Sequence, residues 1–107
     1  MAETEYRIVY CTVPDARTGK TIAEALVRER LCACVNRVPG LVSHYIYEGR
    51  YYEENEELLL IKTTAEAFEN LRSRIEDLHP YDVPEIIATP IANGNKGYLK
   101  WLHSSVE

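Results

Sequence analysis

Apolar positions along this chain recur every second residue in some stretches and every third or fourth in others, which predicts strands and helices in turn. Residues 6–13 are rich in β-branched and aromatic types, with Ile8, Tyr10 and Thr12 on one face and Val9, Cys11 and Val13 on the other. They read as a strand stopped by Pro14. Asp15 is placed to cap a helix over 16–31, whose Ile22, Ala25, Leu26 and Leu31 form an apolar side. Gly19 weakens that helix by roughly 1 kcal/mol relative to alanine. Residues 32–47 predict a long strand, bent or bulged at Pro39-Gly40. Glu48-Gly49 marks a tight turn and Arg50-Tyr51-Tyr52 resumes the strand. The return strand runs through 58–63, apolar enough for burial on both faces. Thr63-Thr64-Ala65-Glu66 fits a capping box for a helix over 65–78 that carries Phe68, Leu71, Ile75 and Leu78. Pro80 ends it. Residues 84–92 predict a short strand whose prolines favour an edge, and Asn93-Gly94-Asn95 turns into a last helix with Tyr98, Trp101 and Leu102 on its apolar side.

The order β-α-β-β-α-β-α is that of an α+β, ferredoxin-like split βαβ sandwich with an added C-terminal helix. Two helices cover one face of a four-stranded antiparallel sheet and leave the other bare, with apolar and tyrosyl side chains on it. The hairpin over 41–62 is also long for so small a chain, and a long exposed edge invites pairing. Both features predict a closed homo-oligomer, with subunits packed sheet to sheet.

Composition narrows the classes. At 107 residues the chain is expected to be a single domain, 1–107. Lys and Arg total 12 against 17 Asp and Glu, a formal charge of -5, which argues against a nucleic-acid partner. No apolar run approaches the roughly 18 residues of a membrane span. The start, Met1-Ala2-Glu3-Thr4-Glu5, lacks an apolar core, so no signal peptide is expected. Three cysteines, an odd number, speak against a disulfide scaffold and for a cytoplasmic location. Cys32 and Cys34 are two apart, so they form no C-x-x-C motif; on a strand they share a face as two small buried hydrophobes.

Several candidate sites have a structural alternative. Gly19-Lys20-Thr21 suggests a phosphate loop, but Pro14 stands where that motif needs its first glycine. The acidic run Glu53-Glu54-Asn55-Glu56-Glu57 has no calcium-loop spacing and reads as a solvated hairpin edge. Tyr45, Tyr47, Tyr51 and Tyr52 flank the hairpin turn, where cross-strand and subunit packing outweigh ligand stacking. His44 and His103 have no partner legible in the sequence. His79 closes a helix, where the dipole favours an imidazolium, and its neutral ring could hold a transition metal. Cys11 ends the first strand and could approach it, a thiolate–imidazole pair suited to copper or zinc. No nucleophile elbow, H-E-x-x-H or Ser-His-Asp pattern is present, and an enzyme is not expected.

The blocks Tyr10-Cys11-Thr12-Val13-Pro14-Asp15, Leu31-Cys32-Ala33-Cys34-Val35-Asn36 with Pro39-Gly40, Tyr45-Ile46-Tyr47-Glu48-Gly49, Leu60-Ile61-Lys62-Thr63, His79-Pro80-Tyr81-Asp82-Val83-Pro84-Glu85-Ile86 and Tyr98-Leu99-Lys100-Trp101-Leu102 follow one another in order. Together they resemble the divalent-cation tolerance family, CutA, from about Arg7 to Ser104, with H-P-Y-x-x-P-E the most distinctive piece. The resemblance implies a homotrimer similar in architecture to the PII signalling proteins, a role in divalent metal-ion tolerance, and binding of Cu(II) or another divalent cation. The metal ligands it implies match Cys11 and His79, whereas Leu78 stands where some members carry a further histidine. An alternative is a PII-like signalling module that takes a small anion or nucleotide in a cleft between subunits, near Lys62, Tyr81 and Glu85. A structural trimer that anchors a partner is the third reading.

Overall fold

The computed structural model describes residues 5–107; residues 1–4, with most of the acidic start considered above, lie outside it. The elements follow the expected order: β1 (Tyr6–Val13), α1 (Ala16–Arg28), β2 (Cys34–Tyr47), β3 (Arg50–Thr64), α2 (Phe68–Leu78), β4 (Ile87–Pro90) and α3 (Lys96–Ser105). The sheet order is β2-β3-β1-β4 and every pairing is antiparallel. Val9, Cys11 and Val13 of β1 and Leu59 and Ile61 of β3 pack against Ile22 and Leu26 of α1 and Leu71 and Ile75 of α2. This core lies on one face of the sheet.

The helix boundaries differ from expectation for definite reasons. Asp15 caps α1 as predicted, its Oδ1 accepting from the Thr18 N–H at 2.8 Å. The helix ends at Arg28, not 31. Leu31 N–H donates to the Leu26 carbonyl and Arg30 N–H to the Val27 carbonyl, the double bond of a Schellman stop. Its left-handed position, usually glycine, is held by Arg30 at φ 60°, so no glycine in the sequence marks the end. The end of α3 holds Arg30 there: the guanidinium donates to the Ser104 carbonyl at 2.8 Å, and the Glu107 N–H donates to the Arg30 carbonyl at 3.0 Å.

Helix α2 starts at Phe68, three residues later than 65. The capping box does not form, because Thr63 belongs to β3 and is wholly buried, its hydroxyl donating to the Leu31 carbonyl at 2.7 Å. Thr64 Oγ1 instead accepts from the Ala67 N–H at 3.1 Å, holding the turn that leads into the helix. In α3 only Leu102 is buried; Tyr98 and Trp101 are exposed and lean on each other, ring centroids 5.5 Å apart.

The hairpin is continuous. Glu48 and Gly49 both have positive φ, 52° and 78°, as a type I′ turn requires. Between Val38 and Leu41 the pairing slips by one residue, with Gly40 at φ 82°, so the bulge sits where Pro39-Gly40 placed it. Strand β3 is buried on one face only: Leu59, Ile61 and Thr63 are closed off by the helices, whereas Leu58, Leu60 and Lys62 are not fully buried and belong to the open face. The acidic run departs from a solvated edge as well, since Glu56 and Glu57 are both buried. Strand β4 is shorter than 84–92, an exposed edge that pairs with Arg7–Tyr10 of β1. Cys32 is buried but precedes β2, so it does not share a strand face with the half-buried Cys34.

Candidate functional site

The segment after α2 folds back against the end of β1, and its anchor is His79. The ring is buried. Nδ1 accepts from the Tyr81 N–H at 3.2 Å, so the ring proton sits on Nε2, which donates to the Thr12 carbonyl at 2.8 Å. That is a neutral tautomer with both nitrogens committed, rather than the imidazolium a helix end favours. Tyr81 then packs on the same ring, centroids 4.7 Å apart.

Cys11 meets the same carbonyl from inside the core: its thiol lies 3.8 Å from the Thr12 oxygen. The structure therefore brings Cys11 and His79 to one peptide group, as the sequence suggested. Burial, with the nearby charges of Glu85 and Glu56 adding to it, pushes the thiol up from 9.0 to about 12. Among the described residues no group of three or more His, Cys, Asp or Glu side chains is arranged to hold a metal ion. Leu78 adds no donor. Two donors, one a protonated thiol and the other a ring already hydrogen-bonded at both nitrogens, do not fit a resident ion, which takes four ligands in a closed zinc site.

Cys32 is likewise pushed up to about 12 by burial. At pH 8 such a thiol is ionised to on the order of one part in ten thousand. Iodoacetamide is expected to modify at most one cysteine per native chain, Cys34, and all three in denaturant; mass spectrometry showing Cys11 alkylated in the native protein would contradict the packing. Both buried thiols hold their protons more tightly folded than unfolded. The stability they contribute is complete below about pH 9 and is lost as the pH climbs toward 12.

On the open face of the sheet, beside the same Thr12, lies a cleft of about 590 Å³. One wall comes from the hairpin, with Tyr45 and Tyr52 stacked across the strands, centroids 5.1 Å apart and planes 17° from parallel. The other is the returning segment, with Tyr81 and Glu85. Glu56 closes the floor, its Oε2 accepting from the Tyr81 hydroxyl at 2.7 Å. Desolvation raises the Tyr81 phenol above its ordinary range, and the bond to Glu56 adds to the shift. Glu85 is raised by desolvation and by repulsion from Glu56. Neither Lys nor Arg is among the lining residues.

Tyr81 and Glu85 are thus together, and Lys62 is not with them. It sits six residues along β3 from Glu56, roughly 20 Å at ~3.3 Å per residue, and its ammonium donates to Asn36 Oδ1 on the open face. His44 bonds the Tyr51 hydroxyl through Nδ1 at 2.5 Å, and His103 lies edge-on to Tyr6. Both are exposed, and His44 also lines the cleft.

Sequence reasoning missed both buried acids, Glu56 in the cleft and Glu57 beside α1. Glu57 forms a two-pronged pair with Arg37 at 2.8 and 3.3 Å, and the same guanidinium donates to the Ala16 carbonyl at 3.1 Å. The pair lies against the first turns of α1, where a carboxylate is favoured by the helix dipole. A Cβ at position 19 would fall 2.0 Å from Glu57 Oε1. Gly19 thus admits a carboxylate of its own chain, where a phosphate-loop reading would have put an external anion.

A family model described as CutA1 divalent ion tolerance protein matches residues 7–105. The divalent-cation tolerance protein CutA of Thermus thermophilus is 55% identical over 98 residues, covering 92% of this chain and 95% of that protein. The chloroplastic protein CutA of Arabidopsis thaliana is 48% identical over 98 residues, and the match spans 92% of this chain but 54% of that protein. Among solved structures, the divalent cation tolerance protein of Thermus thermophilus superposes with a TM-score of 0.93 at 53% identity, covering 95% of this chain and 99% of that one. CutA1 from Oryza sativa superposes with a TM-score of 0.94 at 43% identity, covering 100% and 98%.

Proposed function

Because the chain belongs to the CutA1 divalent ion tolerance family, we propose that it works as a homotrimer in divalent metal-ion tolerance and catalyses no reaction. The observation that carries this reading is the asymmetry of the sheet. Both α1 and α2 pack on one face, while Val38, Tyr45, Tyr47 and Ile87 are left exposed on the open face, and Val42, Ile46 and Tyr51 are exposed on the opposite side of the hairpin arm. So much exposed apolar surface on a small chain marks an interface between copies. A closed ring satisfies every copy equally, and three copies is the number proposed, as the family resemblance of the sequence implies.

Contact with Cu(II) or another divalent cation is proposed at Cys11 and His79, as a transient event rather than a resident site. It requires the thiol to give up its proton and the His79 ring to release one of its two hydrogen bonds. The free thiols suit a reducing compartment, and cytoplasm is the location proposed.

The test is sedimentation of the reduced, tag-free protein at micromolar concentration, followed by calorimetric titration with Cu(II) and Zn(II). The expected species has three times the chain mass. Binding should be weak, saturable and lost in a Cys11→Ala, His79→Ala double variant, with Cys11→Ala alone as the milder control. A monomer would remove the assembly from the proposal. Superimposable titrations of wild type and variants would remove the two ligands from it.

A further inference from the structure

The last helix is held by much less than the rest of the chain. Leu102 is the only buried residue of α3. Its first turn has no side-chain cap from Asn95 and no acidic residue. That turn instead carries Lys96, the unfavourable charge for a helix start, and Gly97, a weak helix former. Ten residues with so little local support do not persist as a helix away from the body.

The other end of α3 is capped from a distance. The Arg30 guanidinium donates to the Ser104 carbonyl at 2.8 Å, which puts a cation at the negative end of the helix. In return the Glu107 N–H donates to the Arg30 carbonyl at 3.0 Å. Arg30 itself stands at φ 60°, a backbone conformation that L side chains adopt at a cost. The ends of α1 and α3 therefore hold each other. Between its two ends α3 lies against the Cys34 end of the sheet. The His103 ring meets Tyr6 of β1 edge-on, centroids 6.3 Å apart. Burial, and after it the charge of nearby Cys34, raises the Tyr98 phenol above its ordinary range. Cys34 is half-buried with this cover in place.

We propose that α3 is a clasp that opens as one unit, locked at its far end by Arg30, and that its opening governs how fast Cys34 meets solvent. Every contact in the lock is made within one chain, so the inference does not depend on the assembly proposed above.

The test pairs two readouts on the reduced, full-length protein in one buffer: hydrogen exchange followed by mass spectrometry, and the rate at which iodoacetamide labels Cys34. The amides of residues 99–105 should exchange together, at least about tenfold faster than those of β1 and β3. Arg30→Gly removes the guanidinium yet keeps the left-handed turn without strain. It should speed both α3 exchange and Cys34 labelling about fivefold, the effect of one exposed charge-assisted hydrogen bond. Exchange in β1 and β3 should stay unchanged, which separates release of the clasp from loss of fold. Leu102→Ala should speed both readouts further, and Arg28→Ala, at the neighbouring helix end, should move neither. Three results would each overturn the proposal. They are α3 exchanging in step with β1 and β3, α3 exchange indifferent to Arg30→Gly, and Cys34 labelling at one rate in wild type, Arg30→Gly and Leu102→Ala.

Discussion

Replacing His79 with alanine is expected to cost about 3 kcal/mol of unfolding free energy, through a lost ring and two stranded polar groups. The ring is buried, packs on Tyr81, and links the Thr12 carbonyl to the Tyr81 N–H. Truncation leaves that carbonyl without its side-chain donor and the amide without its acceptor, and opens a cavity between β1 and the returning segment. Denaturant unfolding at one fixed chain concentration measures the loss, because an oligomer's stability moves with concentration. The Tyr81 amide should also exchange faster with solvent, reporting that the segment has come away locally. A change of less than about 1 kcal/mol, the size of a single ordinary hydrogen bond, would mean that other contacts hold it in place.

The second large effect runs against a helix-propensity scale. Alanine at position 19 should gain roughly 1 kcal/mol as the better helix former. Its Cβ would lie 2.0 Å from Glu57 Oε1, however, and Glu57 is fixed by Arg37. Moving that carboxylate breaks charge-assisted hydrogen bonds at a buried acid, worth about 2–3 kcal/mol here once the one-third exposure of Arg37 is discounted. The net expectation is a destabilisation of about 1–2 kcal/mol, the difference between those two terms. A double-mutant cycle isolates the cause: with Glu57→Ala already present, Gly19→Ala should become neutral or stabilising. Stabilisation by Gly19→Ala in the otherwise native chain would show that the carboxylate moves aside freely.

Much of this architecture was legible in the residue pattern, because it is set by local rules. The order of elements, the Asp15 cap, the Glu48-Gly49 turn and the bulge at Pro39-Gly40 all follow from periodicity and from residues with restricted backbone choices. The nearness of Cys11 and His79 followed from resemblance to a family, spacing alone being a weak guide to it. What escaped was decided by partners distant in sequence. Nothing in Glu53-Glu54-Asn55-Glu56-Glu57 tells which acids are buried; Tyr81 selects Glu56 and Arg37 selects Glu57. The end of α1 was hidden because Arg30 occupies a glycine position under contacts from α3. The cleft was hidden because its two walls, the hairpin and the segment after α2, are joined only by folding. The exposed tyrosines were visible, but the face they share with two carboxylates was not.

The slip between Val38 and Leu41 has a consequence for that face. Before it, the even-numbered residues Cys34, Asn36 and Val38 stand opposite Lys62, Leu60 and Leu58 on the open side; after it, the odd-numbered Leu41, Ser43 and Tyr45 stand opposite Glu56, Glu54 and Tyr52. One surplus residue thus inverts the phase of the whole distal arm. Without it, His44 and Ile46 would turn toward the open side and Tyr45 and Tyr47 away from it. The arm can therefore vary in spelling at many positions while its count between Val38 and Leu41 stays invariant. A single deletion there would keep the strand and exchange one entire surface for the other.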